Sequence, residues 1–236
     1  MIDFWSVNRY GTVTTCTAHY NRFIDNEMPS RFDSNGMLIK ENISIPLLEA
    51  LAAEQLQTQA HAKFVFAPEV DVPSLAGFTL GELEVYELVA PQFAVNEAVE
   101  VRIVDTTTQT DFLRIKYEDA LAFGEQYAKE RDSWLRRMLT TQELTAVIAY
   151  LDNEAVGAVE LIVQDTIAEL DQFFVKPAYQ RRGIGSTIQH FIETKYPFHT
   201  IFLVADADDT PRDMYQRQGY EHRTTFYELV KQSPSL

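Results

Sequence analysis

The sequence predicts an α/β (α+β) chain in two parts, on three observations. Short apolar runs bounded by Pro, Gly, Asn and Asp recur along its length and read as strands. Between them lie stretches whose apolar residues recur three and four apart, the period of an amphipathic helix. The segment Pro91–Ala98 carries neither pattern and reads as a linker. It separates a smaller N-terminal α/β domain, residues 1–95, from a second domain, residues 99–236.

In the first part, Thr12 to Thr17 is β-prone, Asn26 to Gly36 is rich in turn formers, and Met37–Ile39 reads as a short strand. Ile45 to Ala60 reads as a helix, with Pro46 in its first turn and Leu47, Leu48, Leu51 and Leu56 on its apolar face. Lys63 to Ala67 reads as a strand, Val72 to Ala76 as a short helical turn, and Glu82 to Val89 as a half-exposed strand.

The second part opens with a strand at Val99–Val104. A helix follows from Thr110 or Asp111, broken at Gly124 and resumed through Met138. Asp152-Asn153-Glu154 is a hairpin signature between strands 144–151 and 155–163. Ala168–Val175 and His199–Ala205 read as strands, the second continuously apolar and so buried on both faces. Pro211 to Gln218 is a short helix ended by Gly219, and Thr225–Lys231 is the last strand.

The two parts echo one another. Phe64–Ala67, Gly77-Phe78 and Tyr86–Val89 parallel Phe202–Ala205, Gly219-Tyr220 and Tyr227–Val230. The echo suggests that residues 1–95 are a degenerate half-copy of the second domain. It predicts that strands 63–67 and 82–89 lie side by side, as 200–205 and 225–231 would.

Net charge is −15, with both halves acidic, which argues against nucleic acid as a partner. No secretory leader and no apolar membrane span is visible, so a cytoplasmic location and no membrane partner are expected. The single cysteine, Cys16, excludes an internal disulfide and reads as a buried small residue. The five histidines show no metal-ligand spacing, and no metal is expected.

The chemistry concentrates in Phe173–Ser186. An apolar strand stops at Pro177, Gln180, Arg181 and Arg182 follow, and Gly183 and Gly185 open a helix through Ile184, Ile188 and Ile192. The unbonded N–H groups of a helix's first turn carry partial positive charge. Glycines there let an anion approach the amides, and two arginines add charge. The pattern points to a pyrophosphate site. No Gly-Lys-Ser/Thr follows the glycines, which argues against a nucleotide triphosphatase.

Gln180-Arg181-Arg182-Gly183-Ile184-Gly185 resembles the Gln/Arg-x-x-Gly-x-Gly/Ala signature of the GNAT (Gcn5-related) N-acetyltransferases. Val175-Lys176-Pro177 resembles that family's lead-in, and Met214-Tyr215 with Gly219-Tyr220 its Leu-Tyr…Gly-Phe segment. The resemblance covers residues 99–231. It implies a mixed, mostly antiparallel sheet flanked by helices and splayed between its fourth and fifth strands, here 168–175 and 199–206. The splay would admit the pantetheine arm of acetyl-CoA, the acetyl donor, along the backbone of Phe173 and Val175. The amides from Arg181 to Ser186, Ile184 included, would hold the pyrophosphate.

The resemblance makes Tyr215 the general acid for the departing thiolate, since a phenol is neutral at pH 7. Asp208 stands where the family has a CoA-contacting asparagine, and Pro211 where it has alanine. A charged Asp cannot donate as an amide does. Glu160, Glu169 and Asp171 are candidates for the base that deprotonates the acceptor amine. Period-2 alternation puts Glu169, Asp171 and Phe173 on one strand face.

The function so implied is transfer of acetyl from acetyl-CoA to a primary amine, the partner being a small-molecule or peptide acceptor. The alternative is an acyl-CoA-binding sensor that has lost turnover. Residues 1–98 would wall the acceptor cleft or form a homodimer interface.

Overall fold

The computed structural model describes residue 6 and residues 11–207 and 212–232. They form a mixed α/β fold of mostly antiparallel strands flanked by helices. In chain order the elements are β1 (Thr12–Cys16), β2 (Tyr20–Ile24), β3 (Gly36–Ile39), α1 (Ile45–Gln55), β4 (His61–Phe66) and β5 (Thr79–Leu88). Then come β6 (Val99–Ile103), α2 (Gln109–Ala120), α3 (Glu125–Thr141), β7 (Thr145–Leu151), β8 (Glu154–Gln164) and β9 (Ile167–Val175). The chain continues with α4 (Ile184–Lys195), β10 (Thr200–Asp206), α5 (Arg212–Arg217) and β11 (Tyr220–Gln232). The expected helical turn over 72–76 is not helical: Pro73 lies in a connection without regular structure.

Two compact units make up the chain. One holds Met1–Glu84, Ala205–Thr210 and Thr224–Leu236, the other Val85–Val204 and Pro211–Arg223.

In the first unit the strand order is β1-β2-β3-β4-β11. β3 and β4 are parallel, and the other neighbours antiparallel. α1 bridges β3 and β4 and buries Leu48, Leu51 and Ala52 against Phe64 and Phe66, while Leu47 stays exposed. Cys16 is exposed rather than buried, because β1 is an outer strand with both faces largely bare. β4 pairs with β11 from Phe66↔Tyr227 to His61↔Gln232. Across that ladder the buried Lys63 Nζ lies 2.6 Å from Glu228 and 3.2 Å from Asp33. Burial disfavours the ammonium, but the two carboxylates outweigh it and hold the Lys63 pKa above the ordinary lysine value.

The adjacency predicted from the internal echo is therefore not found. β4 has β3 and β11 as neighbours, and β10 has β9 and β5. Sequence similarity between strands specifies a pleated, apolar segment but not its partner.

In the second unit the order is β5-β10-β9-β8-β7-β6. The ladders from β6 to β9 are antiparallel, and β9 runs parallel to β10. β7 and β8 are joined by Asp152 (φ 52°) and Asn153 (φ 65°), two left-handed residues as the tightest hairpin turn requires. Gly124 (φ 103°) separates α2 from α3. α4 covers one sheet face, where Gly157 of β8 leaves room for Ile184 and Ile188. Three residues along, Glu160 points to the other face, where α2 and α3 pack.

Gly219 (φ 93°) admits no side chain, because a Cβ would lie 1.8 Å from the Ala90 carbonyl oxygen. The Val89 and Ala90 amides donate to the Gly219 carbonyl at 3.0 and 3.1 Å, so that approach is fixed. Gly219→Ala is expected to cost about 4 kcal/mol or more in urea unfolding. A loss below about 1 kcal/mol would contradict this packing. No helix among the described residues is long and apolar enough to cross a membrane.

Candidate active site

The site is built on the second half of β9. The parallel ladder with β10 runs from Ile167↔Thr200 to Leu170↔Leu203 and stops there. β9 continues to Val175, still paired with β8 on its other side. Residues 171–175 thus keep one bonded edge and offer one open edge where the two strands part. This is the splay that the sequence resemblance implies.

A bulge lies in the same stretch. Asp171 pairs with Glu160 and Phe174 with Ala158, so Gln172 and Phe173 together oppose Val159. Gln172 takes φ 50°, a left-handed conformation that costs a non-glycine residue about 1–2 kcal/mol. Period-2 alternation fails here. Glu169 and Asp171 share the Glu160 face, but Phe173 lies on the α4 side, its ring 3.7 Å from where a Gly185 Cβ would be. The expectation that Phe173 shares a face with the two carboxylates is overturned by this extra residue.

The loop after β9 makes a 3-10 turn at Pro177–Tyr179, then uses left-handed Arg181 (φ 60°) and Gly183 (φ 79°) to swing into α4. Gly183 is the N-cap and has no side chain to satisfy the first-turn amides. The first helical bond from Thr187 N–H goes to the Gly183 carbonyl at 2.9 Å, which leaves the Ile184, Gly185 and Ser186 amides at the mouth without helical acceptors. Ile184 itself is buried beneath the helix. Arg181 and Arg182 are exposed and pair with no carboxylate among the described residues; the Arg182 guanidinium sits 5.3 Å from the Tyr179 ring centre. Gln180 Nε2 donates to the Val175 carbonyl at 3.2 Å, tying the loop to the end of β9. Ser186 Oγ lies 3.4 Å from Gln218 Nε2. Unbonded amide dipoles at the helix mouth, with two exposed arginines beside it in the chain, are the chemistry of an anion site.

Asn96 holds this loop and was not legible in sequence. Its Nδ2 donates to the Arg182 carbonyl and its backbone N–H to Thr187 Oγ1, both at 2.9 Å. A Cβ on Gly183 would meet the Asn96 Cβ at 3.2 Å and the Ala94 carbonyl at 3.3 Å. Gly183 therefore faces the chain's own backbone, and Gly185 is the glycine with open space before it.

Tyr215 lies on α5, with ring centres 5.5 Å from Tyr86 and 5.7 Å from Tyr220. Burial pushes its phenol above the usual tyrosine pKa, so it keeps its proton. Its hydroxyl has no hydrogen-bond partner among the described residues. Asp208 and Pro211 lie outside the described residues.

The three carboxylates differ sharply. Glu160 is fully buried, joined to Arg131 Nη2 and 3.6 Å from Lys116 Nζ. Glu169 is 4% exposed and pairs in register with Ile162 and Phe202. Asp171 is half-buried at the start of the open edge. Lys116 is itself buried in α2; Nζ donates to the Gln172 carbonyl at 2.7 Å and to Asp119 at 3.1 Å. Neither Lys116 nor Arg131 gave a signal in sequence, since a charge within a helical pattern reads as solvated.

Residues 113–228 match the family model described as an acetyltransferase (GNAT) domain. This stretch is a GNAT domain. It runs from within α2 into β11 and contains the β9 edge, the α4 mouth and Tyr215. A search of curated proteins found no match.

Among solved structures, a functionally unknown conserved protein from Staphylococcus epidermidis is similar over 99% of this chain and 98% of its own, at 25% identity and TM-score 0.84. A GCN5-related N-acetyltransferase from Kribbella flavida covers 95% of this chain and 91% of its own, at 16% identity and TM-score 0.61. A GNAT-family acetyltransferase from Colwellia psychrerythraea covers 94% and 84%, at 12% identity and TM-score 0.54. The last two share the fold of the GNAT domain. Among the described residues no group of three His, Cys, Asp or Glu side chains is placed to hold a metal ion.

Proposed function

We propose that the chain is an acetyl-CoA-dependent N-acetyltransferase whose acceptor is a primary amine. The observation that carries this reading is the open β9 edge at 171–175 beside the uncapped mouth of α4. Acetyl-CoA supplies an activated acetyl thioester and a pyrophosphate by which it is held. The amides of Gly183, Ile184, Gly185 and Ser186 would donate to the pyrophosphate oxygens, with Arg181 and Arg182 neutralising the charge. Backbone groups of Phe173 and Val175 would take the pantetheine arm as a strand takes its neighbour. Gln180 would brace that end of β9.

The amine nitrogen bonds to the acetyl carbon as the carbon–sulfur bond breaks. The departing sulfur takes its proton from the Tyr215 hydroxyl, and the amine gives a proton to the base. We assign the base to Asp171, which stands half-exposed at the open edge. Glu169 is buried, and Glu160 is committed to Arg131 and Lys116.

The half-copy reading of residues 1–95 fails the strand adjacency it predicted and keeps only a likeness in local strand order. β2, β3 and β4 run antiparallel then parallel with α1 between the last two, as β8, β9 and β10 do with α4.

Incubation with acetyl-CoA and a panel of amines, followed by assay of free thiol, tests the function. Thiol release with an amine is expected. Stabilisation by CoA without release across a broad panel would favour the sensor. Neither stabilisation nor release would defeat both readings; linkage predicts about 2.7 kcal/mol at a hundredfold excess over Kd.

The two glycines separate holding from folding. Gly185→Val is expected to keep the melting temperature and to weaken CoA binding about 10- to 100-fold, the worth of a charge-assisted hydrogen bond. Gly183→Val is expected to lower stability outright, by about 1–2 kcal/mol of backbone strain alone. Equal CoA affinity in wild type and the Gly185 variant would sink the loop assignment.

A further inference from the structure

We propose that Lys116 is a positioning residue that fixes and polarises the peptide between Gln172 and Phe173. The inference rests on the acetyl-transfer reading above. Lys116 lies on α2, far in sequence from β9, and its side chain is 2% exposed. Its ammonium donates to two acceptors, the Gln172 carbonyl at 2.7 Å and Asp119 Oδ2 at 3.1 Å, and faces the charge of Glu160 Oε1 at 3.6 Å. Arg131 holds the other Glu160 oxygen, so a buried chain of charges ends on one backbone carbonyl.

That carbonyl belongs to the bulge residue, whose left-handed φ of 50° needs an outside hold. No peptide among the described residues is cis. In a trans peptide the C=O and N–H point opposite ways. With the Gln172 oxygen turned to Lys116, the Phe173 N–H is turned away from it. A cation on the oxygen of a peptide strengthens its N–H as a donor, as hydrogen bonds in a chain polarise one another. Phe173 lies in the segment where β9 has left β10. Lys116 therefore aims and strengthens the Phe173 amide as donor to the thioester oxygen, where negative charge grows during attack. It touches neither substrate nor thioester.

The test uses the full chain, acetyl-CoA labelled with carbon-13 at the carbonyl, and Lys116→Met. Infrared spectra of the bound thioester report polarisation, calorimetry with CoA reports holding, and thiol release reports turnover. The expected result is CoA affinity within about threefold of wild type, loss of the low-frequency shift of the carbonyl band, and kcat about 100-fold lower. Lys116→Arg should restore part of the band shift and of kcat. Lys116→Gln gives the same comparison if the Met variant does not fold. An unchanged band and kcat would overturn the proposal. So would CoA affinity falling in step with kcat, or failure of both neutral variants to fold. Wild type that binds no acetyl-CoA would instead defeat the acetyl-transfer reading itself.

Discussion

Glu160→Ala is expected to destabilise the protein by about 3–5 kcal/mol, the usual cost of removing one member of a buried ion pair. Glu160 is fully buried, and its loss strands the Arg131 guanidinium and removes one of two carboxylates facing Lys116. The Arg131 guanidinium also stacks 4.5 Å from the Trp134 ring centre, so the charge has no easy route to water. Urea unfolding of the single variants and of Glu160→Met with Arg131→Met gives a double-mutant cycle. The double variant should recover much of the loss, because no charge of that pair is left buried alone. A base that abstracts the acceptor's proton would behave differently: its removal would lower turnover and leave the unfolding curve nearly unchanged. Glu160→Ala with wild-type stability would therefore return Glu160 to the list of bases.

Tyr215→Phe is expected to lower kcat about 100- to 10,000-fold, the range of general acid catalysis, with CoA affinity little changed. The hydroxyl has no other employment among the described residues, and the ring contacts with Tyr86 and Tyr220 survive in Phe. Burial holds the Tyr215 pKa above its ordinary value of 10.0. The acid form thus persists through the neutral and mildly alkaline range, and no fall in kcat from its ionisation is expected below about pH 10. Unchanged kcat in the Phe variant would remove Tyr215 from the chemistry. A parallel fall in CoA affinity would make it a binding residue instead.

What sequence made legible was local. The hairpin at Asp152-Asn153, the break at Gly124 and the glycine mouth of α4 each depend on residues adjacent in the chain, where a left-handed φ or a missing Cβ has few solutions. The end of the β9–β10 ladder came from family resemblance, because no property of Leu170 or Leu203 announces where two strands part. The bulge at Gln172 was invisible: a non-glycine in a left-handed conformation follows from its tertiary hold by Lys116, not from local propensity. The same is true of Asn96 on the α4 loop and of Arg131 under Glu160. Charges that look solvated in a helical pattern here satisfy one another out of water, which only three-dimensional placement reveals.

Acetyl transfer at this site requires coenzyme A to lie between the α4 mouth and the open edge of β9, and a crystal structure of the full chain grown with it measures that directly. Pyrophosphate oxygens within hydrogen-bond distance of the Ile184–Ser186 amides, with the pantetheine arm along the open edge of β9 at Phe173–Val175, are predicted. Coenzyme A seated elsewhere, with the α4 mouth and that edge of β9 free of it, would contradict the account.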